Sequence, residues 1–205
     1  MSYLHIRTAS WQARSHTLRI FMMLAASLAL GAAHPNAIAQ RQKPKPTVVA
    51  ANLAQRIHAQ INMERKKHGL TALAWSNDLS RIAEKHSRDM LSRNYLSHDS
   101  PEGQGFSHRY RQGGYDCEIR VGSFVYIGAE NIALSHLYNS MTREDGVAYY
   151  NWNSPQEIAQ RTVSGWMNSP GHRKNILTPH WRHEGIGVEI ETAPGNKIYI
   201  TQNFC

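Results

Sequence analysis

The apolar positions of this chain repeat at helical spacing in its first half and at strand spacing near its end. Leu53, Ile57 and Ile61 recur four apart, which predicts an amphipathic helix over residues 48–68 with one apolar stripe. Thr47 stands at the cap position. Lys66, Lys67 and His68 lead into Gly69, the usual composition of a helix end. Ser76 opens a second predicted helix, with Asp78 in its first turn and Leu79, Ile82, Ala83, His86 and Met90 along one face to about Arg93. Residues 106–112 read as one more helical turn before Gly113 and Gly114. Ser154-Pro155 is an N-cap followed by Pro at the first helical position, with Glu157 nearby, so a further helix runs to about Asn168. Ser169-Pro170-Gly171 should break it.

Residues 184–191 alternate Ile186, Val188 and Ile190 with small or acidic residues. Residues 197–204 place Ile198 and Ile200 on one face. The intervening Ala193-Pro194-Gly195-Asn196 is a turn signal, so the two runs form an antiparallel hairpin. Helices followed by strands indicate an α+β fold with helices packed on an antiparallel sheet. Residues 113–153 carry five Gly and many Tyr, and are expected to be loops with one short strand.

The 205 residues have a hydrophobic fraction of 41% and a charged fraction of 19%, which excludes a disordered chain and a polytopic membrane protein. The start differs from the rest. Arg7, Arg14 and Arg19 precede a fourteen-residue apolar run from Ile20 to Ala33, followed by Ala37-Ile38-Ala39. That run is shorter than the roughly 20 residues a membrane span needs. A basic start, a short apolar middle and an A-x-A exit predict a secretory signal peptide over residues 1–39, cut before Gln40. An uncleaved anchor is the alternative.

Cleavage removes three Arg and no acid, taking the formal charge from +8 to +5. Residues 40–47 hold Arg41, Lys43 and Lys45 among prolines, a linker expected to be extended and solvated. The remaining domain, residues 48–205, then carries only about +2, too little to indicate nucleic acid. Weak contact of the tail with a membrane or cell-wall surface is compatible with it. Export also changes the reading of Cys117 and Cys205: in an oxidising compartment they can pair in only one way, or remain two free thiols.

Three segments place ligand-type side chains in turns between apolar anchors: Tyr95-Leu96-Ser97-His98-Asp99-Ser100-Pro101-Glu102-Gly103, Gly128-Ala129-Glu130-Asn131-Ile132-Ala133, and Trp166 to Leu177 through Ser169-Pro170-Gly171-His172. Two imidazoles and a carboxylate can share a divalent metal or form a hydrogen-bonded acid–base group. His86, on an apolar helix face, reads as a core histidine, and His58 and His68 need no role. His180 and His183 lack a helical ligand motif.

With the Gly185-Ile186-Gly187-Val188 strand, these ordered motifs resemble the CAP superfamily of cysteine-rich secretory proteins, antigen-five allergens and pathogenesis-related proteins, in its bacterial secreted form. The resemblance covers about residues 48–205, nearly all of the chain left after cleavage. It implies a three-layer α–β–α sandwich around a small antiparallel sheet. It also implies a pocket of two His and two Glu. His98, Glu130 and His172 match three of the four, with zinc or another divalent cation as the expected metal at the two His and Glu130 as the candidate catalytic acid. The second Glu position is Ser169, so one acid is missing, with Glu157 and Glu184 as possible substitutes. The implied function is a secreted, non-enzymatic binding module that takes a metal and a small lipid or envelope ligand. Phe106, Tyr110, Tyr115, Phe124, Tyr126, Tyr149, Tyr150 and Trp152 are available for a lipid groove. The alternatives are a metal-assisted or His/Glu hydrolase of peptide or cell-wall material, and a structural envelope protein.

Overall fold

The computed structural model describes residues 44–191 and 194–205. The expected signal peptide, the first part of the linker and one residue of the Ala193–Asn196 turn lie outside the described residues. In chain order the elements are α1 (Ala50–Lys67), β1 (Ala74–Trp75), α2 (Asn77–Ser92), α3 (Phe106–Gln112), β2 (Ile119–Val121), β3 (Phe124–Tyr126), β4 (Ala129–His136), β5 (Tyr138–Glu144), β6 (Val147–Trp152), α4 (Pro155–Asn168), α5 (Pro170–Ile176), β7 (His183–Ile190) and β8 (Lys197–Phe204). Among the described residues, no helix is long and apolar enough to cross a membrane.

The predicted helices form for the predicted reasons. Ser76 Oγ accepts from the Leu79 amide. Ser154 and Glu157 make a reciprocal capping box at the start of α4, with Pro at its first turn. The start of α1 differs: its N-cap is Val49, which has no capping side chain, and Thr47 lies upstream. The preceding segment is held against the domain instead. Lys45 Nζ donates to Asn196 Oδ1 at 2.6 Å and sits 5.5 Å from the Trp152 ring centroid. The end of the linker is therefore docked, not freely solvated as expected.

The main sheet has the order β1-β7-β8-β4. β7–β8 and β8–β4 are antiparallel, whereas the two-residue β1 is parallel to β7. Its two faces are built differently. On one, Ile186, Val188, Ile198 and Ile200 join Leu53, Ile57 and Ile61 of α1 and Ile158 and Val163 of α4 in a single core. Burying each such side chain contributes about 1.5–3 kcal/mol. On the other face α2 lies directly on the strands. A Cβ on Gly185 would sit 2.0 Å from the Ser80 amide nitrogen, and one on Gly187 2.0 Å from that of Glu84. Ser80 and Ser87 use this closeness to donate to the carbonyls of Ile186 and Gly187 at 2.9 and 3.0 Å. The result is an α–β–α sandwich.

Cys117 and Cys205 are bonded, with Cα atoms 5.7 Å apart, and pack with Leu79, Ile82 and Tyr110. The bridge fixes the last residue of the chain beside α2 and α3. Residues 113–153, expected to be mostly loop, instead hold five strands. β2–β3 and β5–β6 are local hairpins, and β4 joins the main sheet.

Candidate functional site

Glu130 lies at the start of β4, on the face that α2 covers, and its side chain is 1% exposed. A carboxylate removed from water must be matched by donors, and both of its oxygens are. Oε1 accepts from His98 Nδ1 at 2.9 Å, and Oε2 from Arg109 Nη2 at 2.7 Å. His86 Nε2 is 3.9 Å from Oε1. Arg109, on α3, also donates to the carbonyls of Gln104 and His98 at 2.8 and 2.9 Å. One guanidinium thus ties the His98 loop to the sheet carboxylate. Sequence reasoning missed Arg109, whose only signal was its place on the short helix after the His98 loop.

A carboxylate only accepts, so His98 donates through Nδ1, and in the neutral ring Nε2 is then the acceptor. The side chain is 49% exposed, so the ring projects from a buried anchor.

His172 was expected in a turn. Pro170 instead starts a new helix, and His172 falls in the first half of α5. This helix is pinned by amides. Asn175 Nδ2 donates to the Glu130 carbonyl at 3.1 Å and to Asn131 Oδ1 at 2.9 Å, while Asn131 Nδ2 reaches the His172 carbonyl at 3.4 Å. Trp181 Nε1 donates to the Asn175 carbonyl, and the fully buried Arg65 donates to the carbonyls of Ile176 and Thr178. Burial holds the His172 imidazole below its ordinary pKa, and the neighbouring His98 lowers it further. His98, 74 positions away in sequence, is thus near enough to His172 to act on it electrostatically.

The wider ligand set expected from the sequence does not assemble. Among the described residues, no group of three or more His, Cys, Asp or Glu could hold a metal ion. Glu130 instead accepts one bond at each oxygen, from His98 and Arg109. Neither substitute acid replaces the one missing at Ser169. Glu157 caps α4 by accepting from the Ser154 amide at 2.6 Å. Glu184 is fully buried and accepts from His58 Nδ1 and Gln202 Nε2, each at 2.5 Å. His58 therefore has a role that its polar helix face did not suggest. The donor set that remains is two imidazoles with a carboxylate behind one, fewer than the three or four protein ligands of an ordinary zinc site.

His86 is a core histidine, with Nε2 3.0 Å from the Ser97 carbonyl. Its burial lowers its pKa. His180 packs on Tyr126 and His183 is exposed; neither joins the site. The aromatic residues divide. Phe106, Tyr110 and Tyr115 pack beside the disulfide, Tyr150 stacks on Trp152, and Phe124 is exposed on a separate hairpin. Both cysteines are bridged, and among the described residues no Ser hydroxyl bonds a His ring.

Residues 58–204 match the Cysteine-rich secretory protein family, CAP. Two Bacillus subtilis (strain 168) proteins are similar. The uncharacterized membrane protein YlbC is 34% identical over 70% of this chain and 31% of its own length. The uncharacterized protein YkwD is 35% identical over 62% of this chain and 38% of its own length. The chain thus spans about a third of the curated relatives it matches. Among solved structures, an extracellular SCP-domain protein from Bacillus anthracis str. Ames is 27% identical, with a TM-score of 0.56 over 83% of this chain and 43% of that one. With the family match covering most of its length in an α–β–α sandwich, the chain belongs to the cysteine-rich secretory protein (CAP) family.

Proposed function

We propose that this protein is an exported, non-enzymatic binding module whose His98 and His172 imidazoles take up a divalent cation, zinc foremost. The carrying observation is the Glu130–His98 bond, which fixes the ring through Nδ1 and leaves Nε2 for a ligand near His172. A carboxylate behind a ligating imidazole orients the ring and raises its basicity. Glu130 is suited to that positioning role and poorly suited to general-base chemistry, because Arg109 and His98 already occupy its oxygens. The absence of a hydroxyl or thiol paired with a base, among the described residues, argues in the same direction. The Cys117–Cys205 bridge supports an oxidising location, outside the cell or in a periplasm. The dispersed aromatic residues give a lipid ligand less support than a metal.

Zinc added to the folded protein, followed by NMR of the histidine ring nitrogens, tests the reading. Shifts confined to His98 Nε2 and His172 support it. Shifts elsewhere, or none, would remove it. Zinc-dependent hydrolysis of a peptide or glycan, abolished in Glu130→Gln, would favour the hydrolase reading instead.

A further inference from the structure

β4 is an edge strand of the main sheet, paired only with β8. Such an edge normally exposes a row of N–H and C=O groups, and here side chains cap three of the carbonyls. Asn175 Nδ2, Trp166 Nε1 and Asn153 Nδ2 donate to the carbonyls of Glu130, Ile132 and His136. Backbone groups alternate sides along a strand, so the even-numbered residues are those facing outward. Leu134 is the interruption: among the described residues neither its N–H nor its C=O has a partner on that side, and the residue is 39% exposed. It lines a groove of about 750 Å³ between β4 and α4. The permanently charged side chain lining this groove is Arg161, which is exposed and forms no hydrogen bond or ion pair among the described residues. Among the described residues no carboxylate lines it, and His172 of the site above does.

We infer that this groove binds the carboxy-terminal end of a peptide. The penultimate residue of the peptide pairs with Leu134, giving its N–H to the Leu134 carbonyl and accepting from the Leu134 N–H. The terminal carboxylate meets the Arg161 guanidinium, whose forked donors match it. The caps on Ile132 and His136 limit pairing to this one residue, so the site selects a chain end over a continuous added strand. The inference requires neither a metal nor His98.

The test is calorimetric titration of the full folded protein with N-acetyl-alanyl-alanine in the presence of a chelator, which keeps it separate from the zinc reading. Three comparisons accompany it: the same peptide as a carboxy-terminal amide, the peptide methylated on its first alanine nitrogen, and the variant Arg161→Gln. The melting curve of Arg161→Gln should match the wild type, since Arg161 is exposed and makes no contact. The expected result is binding of the free acid, weakened about tenfold or more in each comparison, as losing a charge-assisted or buried hydrogen bond implies. Absence of binding at millimolar free acid would overturn the inference. So would equal binding by the amide, by the methylated peptide or by Arg161→Gln.

Discussion

Gln202 donates from Nε2 to Glu184 Oε2 at 2.5 Å, and this bond sets the polarity of an amide chain that ends at α5. With its NH₂ turned to the carboxylate, Gln202 must accept through Oε1, which takes Asn131 Nδ2 at 3.0 Å. Asn131 Oδ1 then takes Asn175. The helix that carries His172 is thus oriented from a carboxylate on the far strand. Glu184→Ala leaves Gln202 and His58 without their buried partner and should cost about 3 kcal/mol. Glu184→Gln, which keeps an acceptor, should cost less, about 1 kcal/mol. Urea unfolding of the two variants measures both. Equal losses would show that the negative charge, and not the acceptor, is what matters.

Gly187→Ala should be among the most damaging single substitutions. The added Cβ would meet the backbone of α2 at Glu84, which cannot yield without lifting the helix from the sheet. Overpacking of this kind costs about 1–3 kcal/mol or more. A thermal melt within error of wild type would mean that α2 does not sit this close to β7.

Acid should weaken the fold through His86. Its folded-state pKa is lowered from 6.5, first by burial and then by opposing effects of Glu130 and Arg109. The unfolded chain therefore binds the proton more readily. Stability is full above about pH 6.5 and falls as pH drops toward the lower folded value, by at most about 1.4 kcal/mol per pH unit for one proton. Denaturant unfolding between pH 8 and pH 5 should show a steeper decline in wild type than in His86→Gln. Parallel profiles would assign the acid sensitivity to other groups.

Reduction should loosen the chain end without abolishing the fold. The bridge closes a loop spanning 88 positions, and constraining it contributes about 4–5 kcal/mol in the chain-entropy account, against about 2–4 kcal/mol for a typical bridge. Cys117→Ser and a reductant should lower the melting temperature alike and not additively. A variant as stable as wild type would show that the hydrogen bonds of Cys205 with Arg182 and His183 suffice.

Legibility in the sequence follows the range of the interactions. The α2 and α4 starts rest on local caps at Ser76 and Ser154, and β7–β8 on simple alternation, so all were readable. Asp145-Gly146, with φ of 48° and 80°, is a two-residue hairpin signal that could have announced β5 and β6. β4 was visible as a motif but not as a strand, because its residues are half polar and its pairing with β8 is long-range. The motifs singled out His98, Glu130 and His172, and of these the structure bonds His98 to Glu130. Arg109 and the His58–Glu184 pair were not. Buried charges are explained by partners brought from elsewhere in the fold, and no periodicity marks them in advance.

The proposed metal site joins His98 and His172, with Glu130 as its support. Calorimetric titration of zinc into the folded domain tests it most directly, using wild type, His172→Ala and Glu130→Gln side by side. The account predicts one zinc per chain in wild type, no measurable binding in His172→Ala, and binding weakened about 10–100-fold in Glu130→Gln, as for loss of an outer-shell partner. Unchanged zinc binding in His172→Ala, or no binding in wild type, would contradict it.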